Sequence, residues 1–309
     1  MGLRSIFLGT PQFAVPTLEA MVAAGHEVLA VYTQPDRPKG RGQSLAMSAV
    51  KVSALRLGLP VIQPERIRNP ESVQELEQFA PDIMVIVGYG QLIPQNIIDI
   101  PRFGIINVHG SLLPQYRGAA PIQWALANGQ SVTGITTMRI NAGLDTGNML
   151  LKAETPIDPD ENAVDLGERL SHLGAKLLIE TLQNPGLSGT PQDDKLATHA
   201  PILSKQDGAI DWSWPATLIH NRTRGFYPWP GTSTQFRDQT LRLCKSQVSE
   251  ESTTADPGRI LSSKGPLRVA CGHNSILELI EVQQEGRKRV SGIDFRNGLR
   301  IVENEILGA

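Results

Sequence analysis

Ile83-Met84-Val85-Ile86-Val87 is an unbroken apolar run, bounded by Pro81-Asp82 before it and Gly88-Tyr89-Gly90 after it. A run this short is strand length, and a strand apolar at every position is buried on both faces, as in a parallel sheet covered by helices. Working outward, residues 5–8, 28–32 and 61–62 read as strands before it, and residues 104–108, 134–140 and 149–151 as strands after it. Between them, Phe13, Val15, Leu18, Met21 and Val22 recur at near-helical spacing, and residues 44–58, 71–79 and 119–127 read as further helices. A helix over 163–182 closes the unit. Strands alternating with helices predict an α/β fold with a doubly wound, mostly parallel sheet.

A chain of 309 residues exceeds the size at which one hydrophobic core stops growing, so two domains are expected. Residues 185–209 hold a Gly- and Pro-rich start and no clear periodicity, which reads as a linker between a domain over 1–184 and another over 210–309. In the second, short strand-like pieces at 241–244, 258–261, 267–270 and 276–280 are separated by turn residues and suggest a small barrel.

With 40% hydrophobic and 19% charged residues the chain reads as globular. The first ten residues carry one basic side chain and one short apolar stretch, too little for a signal peptide or a membrane span, so a cytoplasmic location with no membrane association is expected. Cys244 and Cys271, the only cysteines, are too few for a disulfide framework or a thiolate zinc site. Residues 1–209 hold 16 Lys+Arg against 20 Asp+Glu, and residues 210–309 hold 13 against 11. The mildly basic C-terminal third is compatible with nucleic-acid contact, although an imbalance this mild is most often a solvated surface.

Gly9-Thr10-Pro11-Gln12-Phe13 stands where a dinucleotide-binding protein carries its glycine fingerprint, yet it has one glycine and a proline, which argues against a dehydrogenase. The chemistry-bearing segment is Asn107-Val108-His109-Gly110-Ser111-Leu112-Leu113-Pro114, followed by Arg117-Gly118. Residues two apart on a strand share a face, so Asn107 and His109 point together from a strand's C-terminal end, where open α/β sheets bind ligands. Asn141-Ala142-Gly143-Leu144-Asp145-Thr146-Gly147 is a loop between two strands that presents one acid. Taken singly, a strand-end Asn is a turn former, a lone His is structural and a loop Asp is an Asx turn. Together they supply donors for a developing oxyanion and a carboxylate that can hold an imidazole or accept a proton, which fits acyl transfer without a covalent intermediate. No His/Asp/Cys ligand cluster calls for a metal.

At these residues the chain resembles the folate-dependent formyltransferases. Gly9-Thr10-Pro11-Gln12-Phe13-Ala14, Gln34-Pro35-Asp36-Arg37-Pro38-x-Gly40-Arg41-Gly42 and Pro228-Trp229-Pro230 extend the resemblance to the tRNA-directed branch over nearly the whole length. The resemblance implies a Rossmann-like catalytic domain with a smaller C-terminal OB-like β-barrel. It implies transfer of a formyl group from 10-formyltetrahydrofolate to the amino group of methionine on initiator methionyl-tRNA, with Asn107, His109 and Asp145 catalytic and no metal or obligate protein partner. It further implies a folate site at Val87, Gly88, Tyr89, Ser111, Leu112, Leu113 and Pro114, and an insertion over 34–51 whose Arg37, Lys39 and Arg41 meet the RNA. Two positions depart from the family pattern: Gln43-Ser44-Leu45-Ala46 stands where a Lys-rich stretch is usual, and Asn141 where an acid is common. The alternatives are another formyl-folate transferase acting on a phosphoribosyl or nucleotide-sugar amine, and an RNA-binding protein with a relict catalytic domain.

Overall fold

The computed structural model describes residues 2–39, 44–262 and 264–308. In chain order the elements are β1 (Arg4–Gly9), α1 (Val15–Ala23), β2 (Glu27–Tyr32), β3 (Arg37–Lys39), β4 (Ser44–Ala46), α2 (Ala49–Arg56), β5 (Val61–Ile62), α3 (Pro70–Phe79), β6 (Ile83–Val87) and α4 (Gln95–Ile98). They continue with β7 (Ile105–His109), β8 (Arg117–Gly118), α5 (Pro121–Ala127), β9 (Val132–Arg139), β10 (Met149–Pro156), α6 (Ala163–Leu182) and β11 (His199–Ala200). The C-terminal run is α7 (Ala216–Gly225), β12 (Thr232–Phe236), β13 (Gln239–Val248), β14 (Arg268–Ala270), β15 (Ile276–Gln284), β16 (Val290–Ser291) and α8 (Gly292–Leu299).

The chain divides into two compact units. The first, residues up to Gly118 with Val132–Thr155 and Gly167–Ala200, holds a seven-stranded sheet in the order β10-β9-β7-β6-β1-β2-β5. The five strands from β5 to β7 run parallel, and β9 pairs antiparallel with β7. Strand order reverses between β1 and β6, the switch point of a doubly wound sheet, where ligands sit outside the carboxyl ends. Every residue of β6 is buried, as its apolar run requires, and every residue of β7 is buried as well, the polar Asn107 and His109 included. Ile6, Leu8, Met84 and Ile86 form one core with Leu76, Ile97 and Ile98 of α3 and α4. On the opposite face, α6 comes so close that a Cβ at Gly174 would sit 2.8 Å from a methyl of Val108. Val108 faces α6, so its neighbours Asn107 and His109 face the other way.

The segment expected to be a helix over 44–58 is divided. Ser44–Ala46 forms an antiparallel hairpin with Arg37–Lys39, and only Ala49–Arg56 is helical, begun by the Ser48 hydroxyl accepting from the Lys51 amide. The hairpin's base is tied down: Lys51 Nζ donates to Asp36 Oδ2 (2.6 Å) and to Gln63 Oε1 (2.7 Å), while Gln63 Nε2 donates to Asp36 Oδ1 (2.8 Å). Lys51 holds the Asp36 carboxyl below its ordinary range, with Gln63 adding to the effect.

The second unit gathers Ala119–Ser131, Pro156–Leu166 and Pro201–Ala309. Its antiparallel sheet runs β12-β13-β15-β14, with β16 also on β15. Short bridges close this sheet into a barrel. Ala270 N of β14 donates to Arg259 O, Ile260 N to Glu305 O, Leu307 N to Gly258 O and Gly308 N to Gln235 O of β12, each at 2.8–2.9 Å. The interior holds Trp212, Phe236, Leu243, Val269, Leu277 and Phe295, with the indole N–H of Trp212 satisfied by Thr234 Oγ1 (3.0 Å). In the same unit α5 packs on α7: Phe226 is fully buried and meets the Trp124 ring edge-on, centroids 5.3 Å apart. No helix among the described residues is long and apolar enough to cross a membrane.

Candidate active site

Asn107 and His109 end β7 on one face, both buried, at 8% and 5% exposure. The loop after β9 carries Asp145 back towards them in the left-handed backbone region (φ 52°), which Asp tolerates better than most residues. Asn107 Nδ2 lies 3.4 Å from Asp145 Oδ1, and His109 Nδ1 lies 3.7 Å from Asp145 Oδ2. The second is an ion-pair distance and too long for a hydrogen bond. All three expected catalytic side chains thus converge on one point within the first unit.

The imidazole's orientation has a different origin from the one expected. His109 Nε2 is 2.9 Å from the carbonyl oxygen of Tyr116, and a carbonyl can only accept, so Nε2 carries the proton. Nδ1 is the edge left for substrate, bearing a lone pair in the neutral ring and a proton in the imidazolium. Asp145 is fixed from two other directions. Gly118 N donates to Asp145 Oδ2 (2.9 Å), and the side chain of Gln192 donates to the backbone carbonyls of Asp145 and Gly147. Gly118 has φ +121°, and a Cβ there would lie 2.6 Å from Ala200 O across the β8–β11 pair, so only glycine lets this amide reach the carboxylate. Tyr116 and Gln192 were not expected at the site, and Arg117-Gly118 stood in the motif without an assigned role, because all four act through backbone or through another residue. Gln192 also lies in the stretch read as linker.

The residues expected at a folate site extend from the carboxyl ends of adjacent parallel strands. Val87 is buried at the end of β6, and Gly88 is exposed with φ +60°. Tyr89 is 1% exposed with its ring in the α3/α4 core, and its carbonyl accepts from Thr10 Oγ1 and Gln34 Nε2. After β7, Thr136 Oγ1 pins the Ser111–Pro114 loop by donating to Ser111 O (2.7 Å) and accepting from Leu113 N (3.1 Å). Lys152 Nζ donates to Leu113 O, and the Leu113–Pro114 peptide is cis. Ser111 and Leu113 are buried, whereas Leu112 and Pro114 stay half-exposed.

Of the expected RNA contacts, Arg37 is exposed on β3 and the Lys39 backbone pairs with Ser44, while Arg41 lies outside the described residues. Asn141, in place of the usual acid, accepts from Gly143 N (3.1 Å) and Thr146 Oγ1 (2.9 Å), bonds that its carbonyl oxygen makes as an Asp would. Among the described residues no three His, Cys, Asp or Glu side chains converge as a metal site.

Comparison with known proteins addresses the same architecture. The formyl transferase family matches residues 3–182, and the formyl transferase C-terminal domain matches residues 202–300. A methionyl-tRNA formyltransferase of Solibacter usitatus is 60% identical over 99% of both chains, and that of Koribacter versatilis is 53% identical over 98% of both. The chain belongs to the methionyl-tRNA formyltransferase family. Among solved structures, an N-formyltransferase from Helicobacter canadensis in complex with folinic acid and dTDP-3-aminofucose has the same fold. It is 18% identical, with a TM-score of 0.69 over 90% of this chain and 98% of that one. HypX from Aquifex aeolicus in complex with tetrahydrofolic acid shares the fold at 15% identity and a TM-score of 0.63, over 99% of this chain and 49% of that one. Asn107, His109 and Asp145 all lie within the matched residues 3–182.

Proposed function

We propose that this chain transfers the formyl group of 10-formyltetrahydrofolate to the α-amino group of methionine on initiator tRNA, in the cytoplasm, giving N-formylmethionyl-tRNA. The observation that carries the reading is the convergence of Asn107, His109 and Asp145, in a chain 60% identical over its length to a relative named for that reaction. The likeness to the sugar N-formyltransferase is one of fold alone at 18% identity, so a nucleotide-sugar amine is the lesser reading.

The α-amino group of an aminoacyl ester titrates at or below the ~7.7 of a chain terminus, so much of it is a neutral nucleophile near pH 7. The protein's main task is therefore to hold the charge that grows on the formyl oxygen. Asn107 Nδ2 donates to that oxygen, and His109 donates from Nδ1 as the imidazolium, since Nε2–H is committed to Tyr116. The Asp145 carboxylate lies close enough to stabilise the imidazolium and to take the proton released by the attacking amine. The lip of Val87, Gly88 and Ser111–Pro114 holds the donor; as the bond from the formyl carbon to its electron-poor nitrogen breaks, that nitrogen takes up the proton Asp145 received from the amine, which leaves the carboxylate ionised again. Arg37, Lys39 and Arg41 meet phosphates of the RNA, and the C-terminal barrel supplies the rest of the RNA contact.

The test is single-turnover formyl transfer from 10-formyltetrahydrofolate to charged initiator tRNA. Asn107→Ala and His109→Ala are each expected to slow transfer about 10²- to 10³-fold, the loss of one oxyanion donor, and Asp145→Ala to slow it by a similar order. RNA binding should hardly change in any of them. Efficient formylation of a dTDP-amino sugar with none of charged tRNA would overturn the reading.

A further inference from the structure

We propose that Gln192 is a positioning residue for the reaction, holding Asp145 in register with His109 and itself locked by Arg117. The proposal rests on the role given to Asp145 above. The Gln192 amide is fully committed. Its two N–H groups donate to Asp145 O (2.8 Å) and Gly147 O (2.8 Å), and Oε1 accepts from Arg117 Nε (2.9 Å). These partners fix its orientation, because flipping the amide would set its oxygen against two carbonyls and its N–H groups against a guanidinium. Arg117 is 5% exposed and is held further by its Nη2 donating to Asp194 Oδ1 (2.8 Å).

What needs holding is the loop itself. Residues 141–144 are exposed and bury little, so packing does not specify where Asp145 lies, and hydrogen bonds must. Three consecutive residues serve that end. Tyr116 O orients the imidazole, Arg117 holds Gln192 against the backbone of the loop, and Gly118 N meets the carboxylate. Imidazole and carboxylate are thereby referenced to one short piece of backbone, with Gln192 the link that returns from Arg117 to Asp145. Removing that link frees the carboxylate to drift on the scale of an ångström, the scale on which catalytic geometry fails.

The test compares Gln192→Glu and Gln192→Ala in the wild-type and Asp145→Asn backgrounds, in full-length protein, with melting temperatures recorded. Gln192→Glu keeps shape and the acceptor for Arg117, and replaces the two donors by a charged acceptor oxygen facing both carbonyls. In the wild-type background both variants are expected to lower kcat about 10- to 100-fold, with KM for formyl donor and charged RNA within about twofold of wild type, as for an interaction felt only in the transition state. In the Asp145→Asn background neither should lower the rate further by more than about twofold, because residues acting through one another do not add. Equal fold-losses in both backgrounds, or an unchanged kcat in Gln192→Glu, would overturn the proposal. If Asp145→Asn alone keeps the wild-type rate, the role of Asp145 fails first and the proposal falls with it; a slow Asp145→Asn enzyme with unimpaired Gln192 variants sinks the positioning role alone.

Discussion

His109 shows how a single backbone oxygen decides what an imidazole can do. With Tyr116 O occupying Nε2–H, the neutral ring in the ligand-free protein is expected to be the Nε2-protonated tautomer, and nitrogen NMR of labelled protein reads this directly. A dominant Nδ1–H tautomer would mean that the Tyr116 carbonyl does not hold the ring and that Nδ1 can donate without first gaining a proton. At this scale the side chains were legible in the sequence and their supports were not. Asn107 and His109 announce themselves by strand-end spacing, and Asp145 by its glycine-flanked loop. Tyr116 acts through its carbonyl, a group that every residue has, so no residue type marks it, and Gly118 shows in the sequence as a glycine beside the site without showing that its amide meets Asp145. Gln192 meets Asp145 from 47 positions away, and nothing in its own neighbourhood points there.

The loop between β9 and β10 depends on Gly147 for a reason of space. A Cβ there would lie 1.8 Å from Arg139 O, a backbone atom that cannot swing aside. Gly147→Ala must displace the loop that carries Asp145, and a fall in kcat of about 10²-fold is expected from so small a misplacement. Gly298 is the contrasting case, within α8 with open space around its Cβ position, and Gly298→Ala should raise stability by about 0.4–1 kcal/mol in chemical denaturation. The β3–β4 hairpin escaped a pattern reading because each strand has three residues, one contains Pro38, and Leu45 and Met47 run on into the spacing of Val50 and Ala54. Its anchor carries a pH signature. The folded Asp36 carboxyl titrates below 3.8, so the Lys51 tether is fully present above that value and is lost as pH falls through the lower, folded one. The stability difference between wild type and Asp36→Asn should therefore be constant around neutrality and shrink only in acid below about pH 4, the ordinary carboxylate range. A difference that persisted undiminished in strong acid would show that the ion pair is not its source.

Across the molecule, the doubly wound, mostly parallel sheet and the barrel followed from apolar runs and turn spacing, but the grouping of segments did not. The helix α5 belongs by contact to the unit built mainly from the C-terminal third, because Ala120, Ala127 and Trp124 pack with Leu203 and Phe226. Local periodicity marks α5 as a helix and says nothing about which partner covers it. Phe226→Ala is expected to cost about 3–5 kcal/mol, the usual penalty for emptying a buried aromatic site. A fragment ending at residue 200 should leave Trp124, its sole tryptophan, uncovered. Red-shifted emission and a lowered unfolding midpoint in that fragment are the expected results, and native-like emission would show that α5 needs no cover from the later residues. The way the barrel closes also has a bearing on its birth. Residues 304–308 are the stave that joins the 258–261 segment to β12, so the ring cannot shut until residue 308 has emerged from the ribosome. Until then two raw strand edges are open to whatever chain lies nearby. A ribosome stalled a few codons short would release a barrel with a seam, apt to be stitched to its neighbour rather than to itself.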